Sequence, residues 1–211
     1  MTIRPENYGP KELHKLIIGC VVPRPIAWIS TVDPQGATNL APFSFFNGVA
    51  SNPPTVSVSF SFNPHREDNR KDTLRNILAT GEFVINSVGE PFETQMHASS
   101  GDYPLGASEI EALGLTTVPS RTVAPGRLGE SGVAFECRLD RTIPIGSGPG
   151  SATLVLGRVL CIEVVDGLVN EQLHMDLGAL KPIGRLAGNG YCYVRELFDL
   201  GPRPDPVFPD R

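Results

Sequence analysis

The residues best suited to chemistry run from position 56 to position 73. Val56-Ser57-Val58-Ser59-Phe60-Ser61-Phe62 alternates strictly between apolar and hydroxyl side chains. That pattern predicts a strand with Val56, Val58, Phe60 and Phe62 on one face and three serines on the other. His65-Arg66-Glu67-Asp68-Asn69-Arg70-Lys71-Asp72-Thr73 follows directly. It feeds a short predicted helix over 72–80, with Asp72 or Thr73 as N-cap and Gly81 as its stop. The free N–H groups and positive dipole end of such a helix favour a phosphate. Ser59 and Ser61 would add neutral donors, Thr73 would sit at the helix start, and Lys71 or Arg66 would supply charge. The chemistry implied is retention of one phosphate monoester without a glycine loop. The plain alternative is a solvated loop of mixed charge, the commoner fate of such runs.

A second cluster precedes it. Ser30, Thr31, Asn39, Ala41 and Ser44 are interspersed with Trp28, Pro42, Phe45 and Phe46. A planar heteroaromatic ring needs apolar faces and a few hydrogen bonds at its edge, and this mixture offers both. Composition alone weighs that reading evenly against an ordinary strand pair with aromatic core residues.

Both clusters need a scaffold of strands. Residues 26–32 and 37–46 flank the turn Asp33-Pro34-Gln35-Gly36 and read as a hairpin. Residues 83–88 form another strand, and 133–145, 152–165 and 191–198 are β-rich runs. Residues 91–118 read as a partly helical excursion on the surface. Gly146-Ser147-Gly148-Pro149-Gly150 has a β-rich run after it where a dinucleotide fingerprint needs a helix, so it reads as a hairpin loop. Several strands with only short helices predict a mainly β, closed or nearly closed antiparallel barrel. Regular βα alternation is absent, which excludes a Rossmann or TIM architecture.

Composition narrows the function classes. The 211 residues carry a net charge of −5, which argues against broad binding to nucleic acid or anionic membrane. Gly and Pro together make up about one residue in five, well above the average, so the chain turns often. The N-terminal residues have no apolar signal core and no run approaches a membrane span, so a cytoplasmic protein is expected. Cys20, Cys137, Cys161 and Cys192 show no CxxC spacing and read as reduced thiols. No Walker Gly-Lys-Ser/Thr, GxSxG or HExxH motif occurs, and no metal site is expected. The tail from about 199, rich in proline, cannot continue a helix or a central strand.

Three motifs together resemble the flavin reductase-like family. They are Pro23-Arg24-Pro25-Ile26-Ala27-Trp28-Ile29-Ser30-Thr31, Asn39-Leu40-Ala41-Pro42-Phe43-Ser44-Phe45-Phe46-Asn47 and Arg70-Lys71-Asp72-Thr73-Leu74-Arg75-Asn76-Ile77. Pro182-Ile183-Gly184-Arg185-Leu186, leading to Gly188 and Tyr191, also fits. The resemblance spans roughly residues 10–198 and implies one FMN-binding split β-barrel domain over 1–211, with a few short peripheral helices. It further implies a homodimer with FMN near the subunit interface. Arg24, Trp28, Ser30, Thr31, Asn39, Leu40, Ala41, Ser44 and Phe45 would hold the flavin ring. Ser59, Ser61, Arg66, Lys71 and Thr73 would bind its phosphate, and Gly188 would approach the ring or the partner subunit.

Family members use the flavin in different ways. The resemblance implies an NAD(P)H:flavin reductase that supplies reduced flavin or electrons to a monooxygenase or another electron-transfer partner. A flavoredoxin-like carrier with tightly held FMN and a non-catalytic flavin-binding protein stay open. The hydride chemistry belongs to the cofactor, so no catalytic side chain is expected.

Overall fold

A computed structural model describes residues 1–202. Its strands are β1 (Ala27–Val32), β2 (Thr38–Phe43), β3 (Phe46–Ser51), β4 (Pro54–Ser61), β5 (Glu82–Asn86), β6 (Thr117–Val118), β7 (Arg127–Leu128), β8 (Val133–Ile145), β9 (Ala152–Val164), β10 (Ile183–Arg185) and β11 (Tyr191–Tyr193). Its α-helices are α1 (Pro10–Cys20), α2 (Asp72–Thr80), α3 (Glu93–Ala98), α4 (Glu109–Ala112) and α5 (Leu177–Leu180). Seven strands join in one antiparallel sheet of order β2-β1-β5-β8-β9-β4-β3. The pairs β6/β7 and β10/β11 stand apart from it.

The sheet curls into a split barrel. Ala27 and Ile29 of β1 have three strands between them and Val58 and Phe60 of β4 in sheet order. All four nevertheless share one core with Phe83, Ile85, Cys137 and Val155. Phe43, at the end of edge strand β2, packs on Phe60 with ring centroids 4.6 Å apart. Register irregularities in the β8/β9 pair at Glu136/Cys137 and Leu139/Arg141 supply bends that such curling needs. Gly157 is required inside, because a Cβ there would run into the Phe83 ring. Helix α2 adds Leu74 and Ile77 to the same core. Burying an aromatic such as Phe60 or Phe83 stabilises by about 1.5–3 kcal/mol.

Side chains alternate across a strand, so the neighbours of Ala27 and Ile29 face outward. Trp28 and Leu40 form a second core with Met96, Ile110, Leu128 and Ile183. This core seats the 91–118 segment against the sheet. That segment was expected as a surface excursion. It also places Met96 and Ile110 at 1% and 5% exposure, because its two short helices each offer one apolar side chain to the outer face.

Most local patterns match their elements. The 56–62 alternation becomes β4, with Val56, Val58 and Phe60 buried. Helix α2 spans 72–80 and stops at Gly81 in the left-handed conformation, φ 75°. Its N-cap is Lys71, not Asp72 or Thr73, and no side chain caps it. Residues 146–150 are the β8/β9 hairpin loop, with Gly146, Gly148 and Gly150 at positive φ. The 191–198 run pairs only as Tyr191–Tyr193. Helix α1 has no counterpart in the strand pattern read above. The proline-rich tail beyond residue 202 lies outside the described residues. No helix among the described residues is long and apolar enough to cross a membrane.

Candidate functional site

A cavity of about 280 Å³ opens where α2, β4, β2 and α1 converge. Of the predicted site residues, Arg24, Asn39, Ala41, Ser44, Phe45, Ser59, Ser61, Arg66, Lys71 and Thr73 line it. Trp28, Ser30, Thr31, Leu40 and Gly188 do not.

At one end, β4 presents Ser59 and Ser61 beside the start of α2. Because no side chain caps α2, its first N–H groups keep their donor capacity at this end. Thr73 is buried, and its Oγ1 accepts a hydrogen bond from Asn39 Nδ2 at 2.9 Å. Its own hydroxyl proton therefore remains to donate. The two arginines around Asp72 are committed. Arg66 donates to Asp72 through Nε (3.0 Å) and Nη2 (2.6 Å) and to the Tyr103 carbonyl, while Arg75 donates to the same carboxylate. The hydrogen bond to Asp72 and its charge hold the Arg66 guanidinium above its ordinary pKa. Lys71 enters none of the described salt bridges. The end therefore carries one uncommitted cation, hydroxyls and open backbone donors, the donor set of a phosphate site.

The other end is apolar at its faces and polar at its edge. Pro42, Phe43, Phe45 and Ile18 form walls, and the His14 ring lies 6.2 Å from that of Phe45. Arg24 stands behind this end as a staple. Its Nη1 donates to the carbonyls of Ile18 (2.7 Å) and Val21 (2.8 Å), its Nη2 to that of Leu186 (3.0 Å), and its Nε to Ser44 Oγ. Four of its five N–H groups are thus engaged. Burial and the nearby charge of Arg185 lower its pKa.

The predicted residues outside the cavity have other tasks. Trp28 Nε1 donates to Ser99 Oγ at 2.9 Å, anchoring the loop that brings residues 99–103 to the cavity. Ser30 donates to the Gly126 carbonyl at 2.7 Å. Thr31 Oγ1 accepts from Asn39 and Asn76, which orients the Asn39 amide toward Thr73. Leu40 is fully buried. Gly188, at φ +56°, accepts a hydrogen bond from Arg185 Nη2. Trp28, Ser30, Thr31 and Leu40 support the site from behind, because strand alternation and burial turn them away from it, while Gly188 lies in an exposed turn.

Other lining residues were not among the predicted ones, although Arg185 belongs to the 182–186 motif. Asn63, Ser100, Asp102 and Tyr103 arrive on loops, His14 on α1, and Arg185 on β10. Glu109 is the least expected. Its Oε2 accepts the Leu40 N–H at 2.9 Å on the open edge of β2, and burial pushes its carboxyl above the ordinary value. A lone glutamate in a short helix gives no sequence cue to that role.

The comparisons with known proteins agree with this architecture. The family described as flavin reductase like domain matches residues 18–184. An uncharacterized protein of Halalkalibacterium halodurans is 40% identical over 202 residues, covering 95% of each chain. Nitrilotriacetate monooxygenase component B from Bacillus cereus is 35% identical, with a TM-score of 0.88 over 95% of this chain and 98% of that one. The Pseudomonas fluorescens 2-nitrobenzoate 2-nitroreductase is 29% identical, with a TM-score of 0.85 over 100% and 99%. With most of its length matched and its curled sheet in common, this chain belongs to the flavin reductase-like family.

Proposed function

We propose that the chain is an FMN-binding oxidoreductase that takes hydride from NAD(P)H and passes electrons to free flavin or a partner. The observation that carries this reading is the two-ended cavity, with a phosphate donor set at α2 and apolar walls with polar edges beyond it. The residues present fit FMN by their chemistry. Lys71, Thr73, Ser59, Ser61 and the α2 N–H groups would hold its single phosphate. Asn39, Ala41, Ser44 and Phe45 would border its ring. Bound FMN would supply the hydride-accepting ring and the route of electrons onward.

The protein's own work is binding, orientation and exclusion of water. The Thr31–Asn39–Thr73 chain holds a donor hydroxyl at the phosphate end. The Arg24 staple fixes the position of α1 and Ser44 at the ring end. A cytoplasmic homodimer is part of the proposal. Helix α1 buries no residue within one chain and leaves Ile17 exposed, which supports a partner subunit there. A monooxygenase as electron acceptor is supported by the relative named as a monooxygenase component.

The test is anaerobic. The purified chain is loaded with FMN, NADH and NADPH are added in turn, and the visible flavin band is followed. Bleaching with one donor is the expected result and identifies the nicotinamide. Retained FMN that neither donor bleaches would overturn the reductase and leave a carrier or a binding protein.

A further inference from the structure

A second cavity of about 210 Å³ adjoins the first and shares Pro42, Phe43, Ser44, Ser100 and Arg185 with it. Ile26, Met96, His97 and Tyr191 complete its wall. No carboxylate lines it. Arg185 enters none of the described salt bridges. Its guanidinium lies over the Tyr191 ring, 4.4 Å from the centroid, and Nη2 is held by the Gly188 carbonyl. Nη1 is buried without any acceptor. A charged donor left unpaired in the interior is costly, and an anionic oxygen satisfies it best. The neighbouring guanidinium of Arg24 spends its hydrogen bonds on neutral carbonyls and a hydroxyl, so the region keeps excess positive charge. The volume lies below the range of drug-sized sites and suits a single small ring.

We propose that this smaller cavity is a binding site for a planar aromatic carboxylate, held by its carboxylate on Arg185 with its ring against the Phe43 wall. The Ser44 hydroxyl, which accepts from Arg24 Nε, keeps its proton to donate to the second carboxylate oxygen. The shared wall places the ligand beside the ring end of the larger cavity. Its binding does not depend on the flavin reading above.

The test is isothermal titration calorimetry on the full chain, with and without FMN. Three probes are used: benzoate, nicotinamide as a neutral planar ring, and cyclohexanecarboxylate as a non-planar anion. Benzoate is expected to bind once per chain, and the other two at least about tenfold more weakly. Arg185→Met should weaken benzoate by about tenfold or more, with Arg185→Lys in between. Far-UV circular dichroism checks the fold of each variant. Should Arg185→Met fail to fold, Tyr191→Leu, which removes the ring that positions the Arg185 guanidinium and part of the cavity wall, should still weaken benzoate severalfold. No benzoate binding, nicotinamide binding equally well, or an Arg185→Met variant of unchanged affinity would each overturn the proposal. Benzoate binding to a chain that takes up no FMN would support this site while overturning the flavin reading.

Discussion

The two ends of the larger cavity are built in different ways. The phosphate end draws Ser59, Ser61, Lys71 and Thr73 from one strand and the helix that follows it. The ring end draws on α1, the β2/β3 turn and β10, and the Arg24 bond to Leu186 spans 162 residues of sequence. Local rules suffice for the first: alternation sets the serine face, and a helix start exposes N–H groups. The second exists only once the sheet has curled and its connections have been pinned. Charge is also handled differently. The phosphate end neutralises Arg66 and Arg75 on Asp72 and leaves Lys71 available. The ring end buries Arg24 on carbonyls and Arg185 with a donor unpaired.

Four substitutions bear on this contrast. Arg24→Met has the largest expected effect, because it leaves the Ile18, Val21 and Leu186 carbonyls without their donors. It should cost about 3 kcal/mol or more in urea unfolding. An unchanged midpoint would show that the ring end is not pinned from a distance. Lys71→Met acts at the other end. The FMN dissociation constant should rise about tenfold, while the melting temperature stays within about 2 °C as for other surface changes. A melting loss without an affinity loss would reverse the assignment of roles.

Arg66→Met sharpens the same point. Its charge is tied to Asp72, so FMN affinity measured by fluorescence quenching should change less than threefold, on the order of 0.6 kcal/mol. A loss as large as that of Lys71→Met would show that Arg66 swings free to meet the phosphate. The smallest effect is Glu109→Gln. Burial raises the Glu109 carboxyl, so the folded state binds that proton more tightly than the unfolded state. Stability should therefore fall as pH rises from the ordinary glutamate pKa through the raised one. The glutamine variant still accepts the Leu40 N–H and should show a flatter stability-versus-pH curve in that window. An identical curve for both proteins would remove Glu109 as the titrating group.

Elements that encode themselves locally were legible. Strand β4 announces its faces, α2 its length and glycine stop, and the glycines at 146–150 their loop. The sequence is less legible where packing decides. In β1, Ser30 bonds the Gly126 carbonyl and Trp28 bonds Ser99 from behind the cavity wall, and neither side chain lines the cavity. Composition could not tell which face would meet a ligand. Residues 91–118 are the partly helical excursion expected, and Met96 and Ile110 seat them on the outer core, a contact that only the packing shows. Arg24 and Arg66 carry the charge expected of ligand contacts, but partners in the tertiary structure already hold most of it.

By itself the sequence determined a turn-rich, mainly β chain, a serine-faced strand leading into a helix start, and motifs that resemble the flavin reductase-like family. The first two follow from composition, periodicity and spacing, which act over a few residues. Only the tertiary structure decided which residues face the cavity, which cations are already spent, and that Arg185 closes a second, smaller cavity beside it. Those outcomes depend on how the sheet curls and what lies across it. Desolvation and hydrogen-bond satisfaction are properties of neighbours in space, and the order of residues along the chain does not contain them.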